Sequence, residues 1–182
     1  LLNFGININT SPVLDLHQTK THKIIGNRSY SDNPITVNKL GQACIKFYKN
    51  NKIGTVIKHI PGHGKAKADS HLKLPVVKEN LSILEKNDFH CFKKTKSLFA
   101  MTAHILYNKI DKNYNATHSK NLIKKIIRKK IGFKGILISD DISMKALKYN
   151  VVKNAKLALE AGCNILLYCG GKTHEVKKIL KE

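Results

Sequence analysis

The stretch Lys58-His59-Ile60-Pro61-Gly62-His63-Gly64, followed closely by Asp69-Ser70-His71, gathers three imidazoles, a carboxylate and a cation in its two segments. A carboxylate two positions before a histidine lies on the same side of an extended segment, where it orients or charges the ring. Such a pair donates and recovers a proton near neutral pH. The chain has only 12 acidic residues against 33 basic ones, so an acid at that spacing is poor surface filler. A metal site is the competing reading, because His59 and His63 stand four apart, as two ligands on one helical face would. Pro61-Gly62 forbids a helix between them. No metal or other cofactor is expected, and the loop reads instead as the wall of a sugar- or phosphate-sized pocket. His59 and His71 are the functional candidates, whereas His63 reads as hydrogen-bonded inside the tight turn. A second segment with chemistry is Ser139-Asp140-Asp141-Ile142-Ser143-Met144, directly after an apolar run. Adjacent carboxylates on a strand point to opposite faces, so the two are not a dyad. One faces the barrel mouth as nucleophile or base, and the other caps the following helix, a role that suits Asp141. Periodicity does not choose between them, because both faces of this strand are apolar.

These residues must be held by regular elements, and five apolar runs read as buried strands: Phe4–Ile8, Thr55–Ile57, Leu98–Met101, Ile136–Ile138 and Ile165–Tyr168. Helical patterns lie between them. Asn33 caps a helix with Pro34 at its first position and an apolar stripe of Val37, Leu40, Cys44 and Phe47. Ser119 caps another, striped by Leu122, Ile123, Ile126 and Ile127 and ended by Gly132. A third runs from about Val151 to Ala161, with Gly162 at its boundary. Alternating strand and helix argues for a parallel α/β fold. Polar or His-bearing loops follow every strand, which fits a (β/α)8 TIM-type barrel, where all such loops face one site. A doubly wound sheet typically opens with a Gly-rich phosphate loop, which is absent. A closed barrel needs eight strands, so residues 1–182 are expected to be a single catalytic barrel domain truncated at both ends, with about five strand-helix units.

An apolar content of 42% excludes general disorder, and no apolar run approaches the roughly 20 residues of a membrane span. No export signal is visible at the start of the chain, and Cys44, Cys91, Cys163 and Cys169 are scattered, which reads as reduced and points to the cytoplasm. The net charge of +21 invites a polyanion, yet the cations are almost all Lys, and no aromatic residues interleave with them as in a base-stacking platform. A solvated lysine coat is the preferred reading, with neither nucleic acid nor membrane expected as partner.

Taken in order, IGNRSYSDNP, KHIPGHGKAKADSH, MTAHILY and GFKGILISDDISMKAL resemble glycoside hydrolase family 3, in particular its bacterial β-N-acetylglucosaminidases of cell-wall recycling. The resemblance covers essentially the whole chain. It implies Asp140 as the nucleophile, His71 with Asp69 as the acid/base dyad, and Arg28, Lys58 and His59 as contacts to sugar hydroxyls, with His104 as a further lining residue. It implies a retaining hydrolase that releases terminal β-linked N-acetylglucosamine from peptidoglycan fragments, acts on muropeptides or simpler β-N-acetylglucosaminides, and works as a monomer. Ile60 and Ile142 stand where the family usually has Phe and Leu. Two strand-helix units that open the family's barrel are missing. Another β-glycosidase of the family, such as a β-glucosidase, and an inactive lysine-rich polyanion-binding module are the alternatives.

Overall fold

In chain order the strands are β1 (Ile8–Asn9), β2 (Gly54–Ile60), β3 (Val76–Val77), β4 (Phe99–Thr102), β5 (Leu106–Tyr107), β6 (Ile136–Asp141) and β7 (Ile165–Leu167). The computed structural model describes residues 1–18, 25–66 and 73–181. Five of these strands form one all-parallel sheet in the order β1-β2-β4-β6-β7. The sheet curls into part of a barrel, as the alternation of elements implied. The remaining pair, β3 and β5, forms a separate two-stranded parallel sheet. Two residues per strand are too few to leave a periodic signal, which is why sequence reading passes over both.

The helices are α1 (Pro34–Asn50), α2 (Leu81–Lys86), α3 (Lys120–Leu122, continuing as a π-helix over Ile123–Ile131), α4 (Val151–Ala161) and α5 (Thr173–Ile179). Their ends obey the expected chemistry. The Asn33 side chain accepts the N–H groups of Ile35 and Thr36, the Ser119 hydroxyl accepts that of Leu122, and the Asn150 side chain accepts that of Lys153. Gly132 and Gly162 close α3 and α4 in the left-handed region, at φ 81° and 117°. The expected stripe of α3 is buried throughout, at Leu122, Ile123, Ile126 and Ile127.

Two expectations are corrected. The first strand is not Phe4–Ile8: Leu2–Phe4 forms a 3-10 turn closed by Gly5, Phe4 is 85% exposed, and pairing begins only at Ile8. The buried face of α1 is Val37, Gly41 and Ile45, while Leu40 and Phe47 face outward. The cause is Gly41, where a Cβ would fall inside van der Waals contact of the Leu14 side chain. The helix therefore approaches the core at its smallest residue and turns its larger ones away. All four cysteines are free, with Cys91 and Cys163 buried and Cys169 exposed. Among the described residues no helix is long and apolar enough to cross a membrane.

At Gly135, which leads into β6, a Cβ would collide with the carbonyl oxygen of Leu98, a backbone atom that cannot step aside. Gly135→Ala is expected to destabilise the protein by about 2 kcal/mol, measured by urea unfolding. An unchanged midpoint would show that the β4–β6 contact yields freely.

Candidate active site

Parallel strands bring their C-terminal ends to one side, and the candidate residues sit there. Lys58 and His59 lie near the end of β2, His104 just past β4, Asp140 and Asp141 at the end of β6, and Cys169 just past β7. Arg28 lies in the 3-10 turn Gly26–Arg28. The dyad candidates Asp69 and His71 fall outside the described residues.

Asp15, which sequence reading did not single out, organises the β2 end. It lies past β1, where Val13 bridges Lys58 and the Leu14 N–H donates to the Lys58 carbonyl. The carboxylate is fully buried. One oxygen accepts the His63 backbone N–H at 2.6 Å, the other meets His59 Nδ1 at 2.6 Å, and the His59 backbone N–H lies 3.2 Å from both. Burial alone would raise this carboxyl, but the His59 ring and the groups of His63 outweigh it and hold Asp15 below the usual carboxylate range. Burial takes the His63 imidazole down to about 4, so that ring is neutral, and its backbone is what the carboxylate grips. The peptide bonds Lys58–His59 and Ile60–Pro61 are cis. The signal in the sequence was an acid set between two leucines, Leu14-Asp15-Leu16, in a chain with few acids.

Lys58 is half-buried, and its ammonium pKa is lowered first by burial and next by the neighbouring Arg28 guanidinium, against the pull of Asp140 and Asp15. Two cations and a carboxylate thus share one electrostatic neighbourhood.

The adjacent carboxylates on β6 divide their work. Both oxygens of Asp141 take the Ser143 hydroxyl, at 2.8 and 2.7 Å, and one also accepts the N–H groups of Ser143 and Cys169, each at 3.0 Å. Asp141 is therefore the structural member, although it closes a turn and ties in the β7 end rather than capping a helix. Asp140 makes a single side-chain hydrogen bond among the described residues, accepting the Asp141 N–H at 2.8 Å. Its own N–H donates to Thr102 Oγ1. His104 is fully buried. Its Nε2 donates to the Asp141 carbonyl at 3.0 Å, which leaves Nδ1 to accept the Thr117 hydroxyl at 2.8 Å. Burial lowers its pKa, consistent with this neutral tautomer. Both ring nitrogens are committed inside the protein, so His104 joins the ends of β4 and β6 rather than facing a ligand.

Beneath the Pro61–Gly64 turn lies Asp88, 1% exposed, whose two carboxylate oxygens have no hydrogen-bond partner among the described residues. A Cβ at Gly62 would come within 2.7 Å of the Asp88 Cβ, and one at Gly64 within 3.1 Å of its Oδ1. The turn closes over this side chain because both residues are glycine, Gly62 at φ 138°. Burial raises the Asp88 pKa to about 7, against the pull of Lys65, with Asp15 and Glu79 pushing further upward. The Tyr107 hydroxyl donates to the Gly62 carbonyl and fixes the same turn.

Comparison with known proteins converges on one family. The model of the glycosyl hydrolase family 3 N-terminal domain matches residues 1–182. A β-hexosaminidase of Neisseria meningitidis is 38% identical over 170 residues, covering 91% of this chain and 46% of the relative. The structure of a family 3 β-N-acetylglucosaminidase from Paenibacillus superposes with a TM-score of 0.92 at 30% identity, over 100% of this chain and 35% of that one. NagZ from Neisseria gonorrhoeae, solved with N-trifluoroacetyl-D-glucosamine, gives 0.84 at 34% identity, over 97% of this chain and 51% of that one. The chain thus spans about half the length of the curated relatives it matches.

Two outcomes are expected. Asp15→Ala strands His59 and two N–H groups and should cost about 3–5 kcal/mol in urea unfolding, whereas Asp15→Asn keeps an acceptor and should cost less; equal losses would deny the carboxylate its organising role. Asp88 has a folded-state pKa of about 7, above the 3.8 of the free group. The native state therefore holds a proton that the unfolded state has released between those values, and stability falls as pH rises through that window. Asp88→Asn should stabilise by roughly 2–4 kcal/mol at pH 8 and by almost nothing near pH 3, compared by unfolding at the two pH values. The same effect at both would show that the carboxyl does not titrate in this way.

Proposed function

Because the chain belongs to glycosyl hydrolase family 3, we propose that it carries the catalytic side of a retaining β-N-acetylhexosaminidase that removes terminal β-linked N-acetylglucosamine from peptidoglycan fragments. The observation that carries this reading is the contrast between Asp140 and Asp141. One carboxylate is consumed by the turn behind it, and the other stands with a single side-chain hydrogen bond among the described residues, beside the half-buried Lys58. The enzyme names of the relatives support the substrate class.

In the first step an Asp140 oxygen attacks the anomeric carbon, the glycosidic C–O bond breaks, and protonated His71 gives its proton to the departing oxygen. In the second, His71 takes a proton from water as that water displaces Asp140 from the sugar. Asp69 keeps the imidazolium available near neutral pH, where an isolated carboxylic acid would need a dry pocket to stay protonated. Arg28, Lys58 and His59 bind sugar hydroxyls. His59 keeps its place through Asp15, and His104 acts as a positioning residue for the strand end that bears Asp140. The protein works in the cytoplasm as a monomer that recycles wall fragments.

The test is release of an aryl group from its β-N-acetylglucosaminide and β-glucoside by the protein and its variants. Asp140→Ala should lower kcat by roughly 10³-fold or more, and the N-acetylglucosaminide should be preferred. His71→Ala should slow poor leaving groups far more than activated aryl groups. Undiminished turnover by Asp140→Ala, or equal losses across leaving groups for His71→Ala, would remove the assigned roles, and preference for the glucoside would move the substrate class.

A further inference from the structure

At the opposite end of the sheet, where the strands begin, three segments meet around a cleft of about 710 Å³. They are residues 46–55, joining α1 to β2, residues 93–98, leading into β4, and residues 128–135, joining α3 to β6. Together they carry ten cations, Lys46, Lys49, Lys52, Lys93, Lys94, Lys96, Arg128, Lys129, Lys130 and Lys134, and no Asp or Glu. At the chain's ratio of 33 basic to 12 acidic residues, ten cations would bring about three or four acids with them. The catalytic end, by contrast, holds Asp15, Asp88, Asp140 and Asp141. That end also carries Arg28 and Lys58, so the signs are mixed there, whereas cations without interspersed acids mark the end where the strands begin, which a uniform lysine coat would not produce.

The cleft itself has an apolar floor of Ile45, Ile53 and Phe133 and a rim of Lys49, Lys52, Lys96 and Lys134. All four rim lysines are exposed. Lys52 takes its place with φ 58°, a conformation uncommon for a residue with a side chain. Neutralisation from the protein is slight. Glu85 pairs with Lys130 at 2.5 Å, and Arg128 is held by the carbonyls of Phe133 and Gly135 and the Asn164 side chain, none of them a carboxylate. Like charges drawn to one rim repel, and a multivalent anion seated among them relieves that repulsion. The volume lies within the range of small-ligand pockets, so the occupant is a compact anion rather than a polymer surface.

We propose that this cleft is a binding site for a polyphosphate group, either free or carried on a nucleoside, independent of the glycosidase chemistry at the other end of the sheet. Calorimetric titration with inorganic tripolyphosphate and with ATP, at physiological salt, tests it. Saturable binding of at least one is expected, weakened tenfold or more by Lys49→Gln/Lys96→Gln/Lys134→Gln. The control makes the same charge change in the other lysine-lined cleft, between α4 and α5, as Lys153→Gln/Lys156→Gln/Lys178→Gln, and should stay within twofold of the parent. ATP binding at least fivefold tighter than tripolyphosphate assigns the site to a nucleoside polyphosphate, and equal or weaker ATP binding assigns it to the polyphosphate group alone. No saturable binding of either, or equal weakening by both triple variants, overturns the proposal, since the second result would mean that only net charge is sensed.

Discussion

The β2 end of the site hangs from one buried carboxylate. Asp15 reaches the end of β2 from outside that strand and takes the His59 ring, the His59 backbone and the His63 backbone together. A lone buried anion would be costly. Here the cost is offset by three donors, each on the segment that must be held, so the group that organises the loop is also the one the loop makes tolerable. Lys58 sits one residue before His59, which fixes where its ammonium emerges relative to Asp140. A single acid thus sets where a lysine on one strand stands relative to a carboxylate on another.

The same logic separates similar residues by their surroundings. Asp140 and Asp141 are chemically identical and adjacent, but Ser143 and Cys169 occupy the Asp141 carboxylate, and that of Asp140 takes one hydrogen bond among the described residues. His59 and His63 differ likewise: one presents its ring nitrogen to Asp15, and the other presents its backbone while burial keeps its ring neutral. His104 has the residue type of a ligand-binding group and the hydrogen bonds of a structural one. Asp88 is the exception. It is an acid with no hydrogen-bond partner among the described residues, closed in by two glycines, and its burden is borne by the turn that covers it.

Much of this was legible in the sequence because it rests on local signals. Caps at Asn33 and Ser119, the terminal glycines of α3 and α4, and the alternation of strand and helix are short-range features, and the structure repeats them. The ordered motifs carried the family. What escaped depends on contacts far apart in the chain. The inward face of α1 is decided by Leu14 meeting Gly41, not by the periodicity of the helix itself. Asp15 acquires meaning only when β1 lies beside β2 and delivers it to His59, 44 residues away. The committed nitrogens of His104 depend on Thr117 and on the end of β6. The very short β3 and β5 exist only as partners of each other.

The strand order has a consequence for how the molecule comes into being. In the main sheet each strand pairs only with its nearest predecessor and successor along the chain, because β3 and β5 form their own sheet. No strand waits for a partner from a later part of the sequence before the next can be added. The sheet can therefore be laid down in the direction of synthesis, one unit docking on the last as the ribosome releases it. Asp15 and the His59 turn come together early in that sequence, before the strand that bears Asp140 has been made.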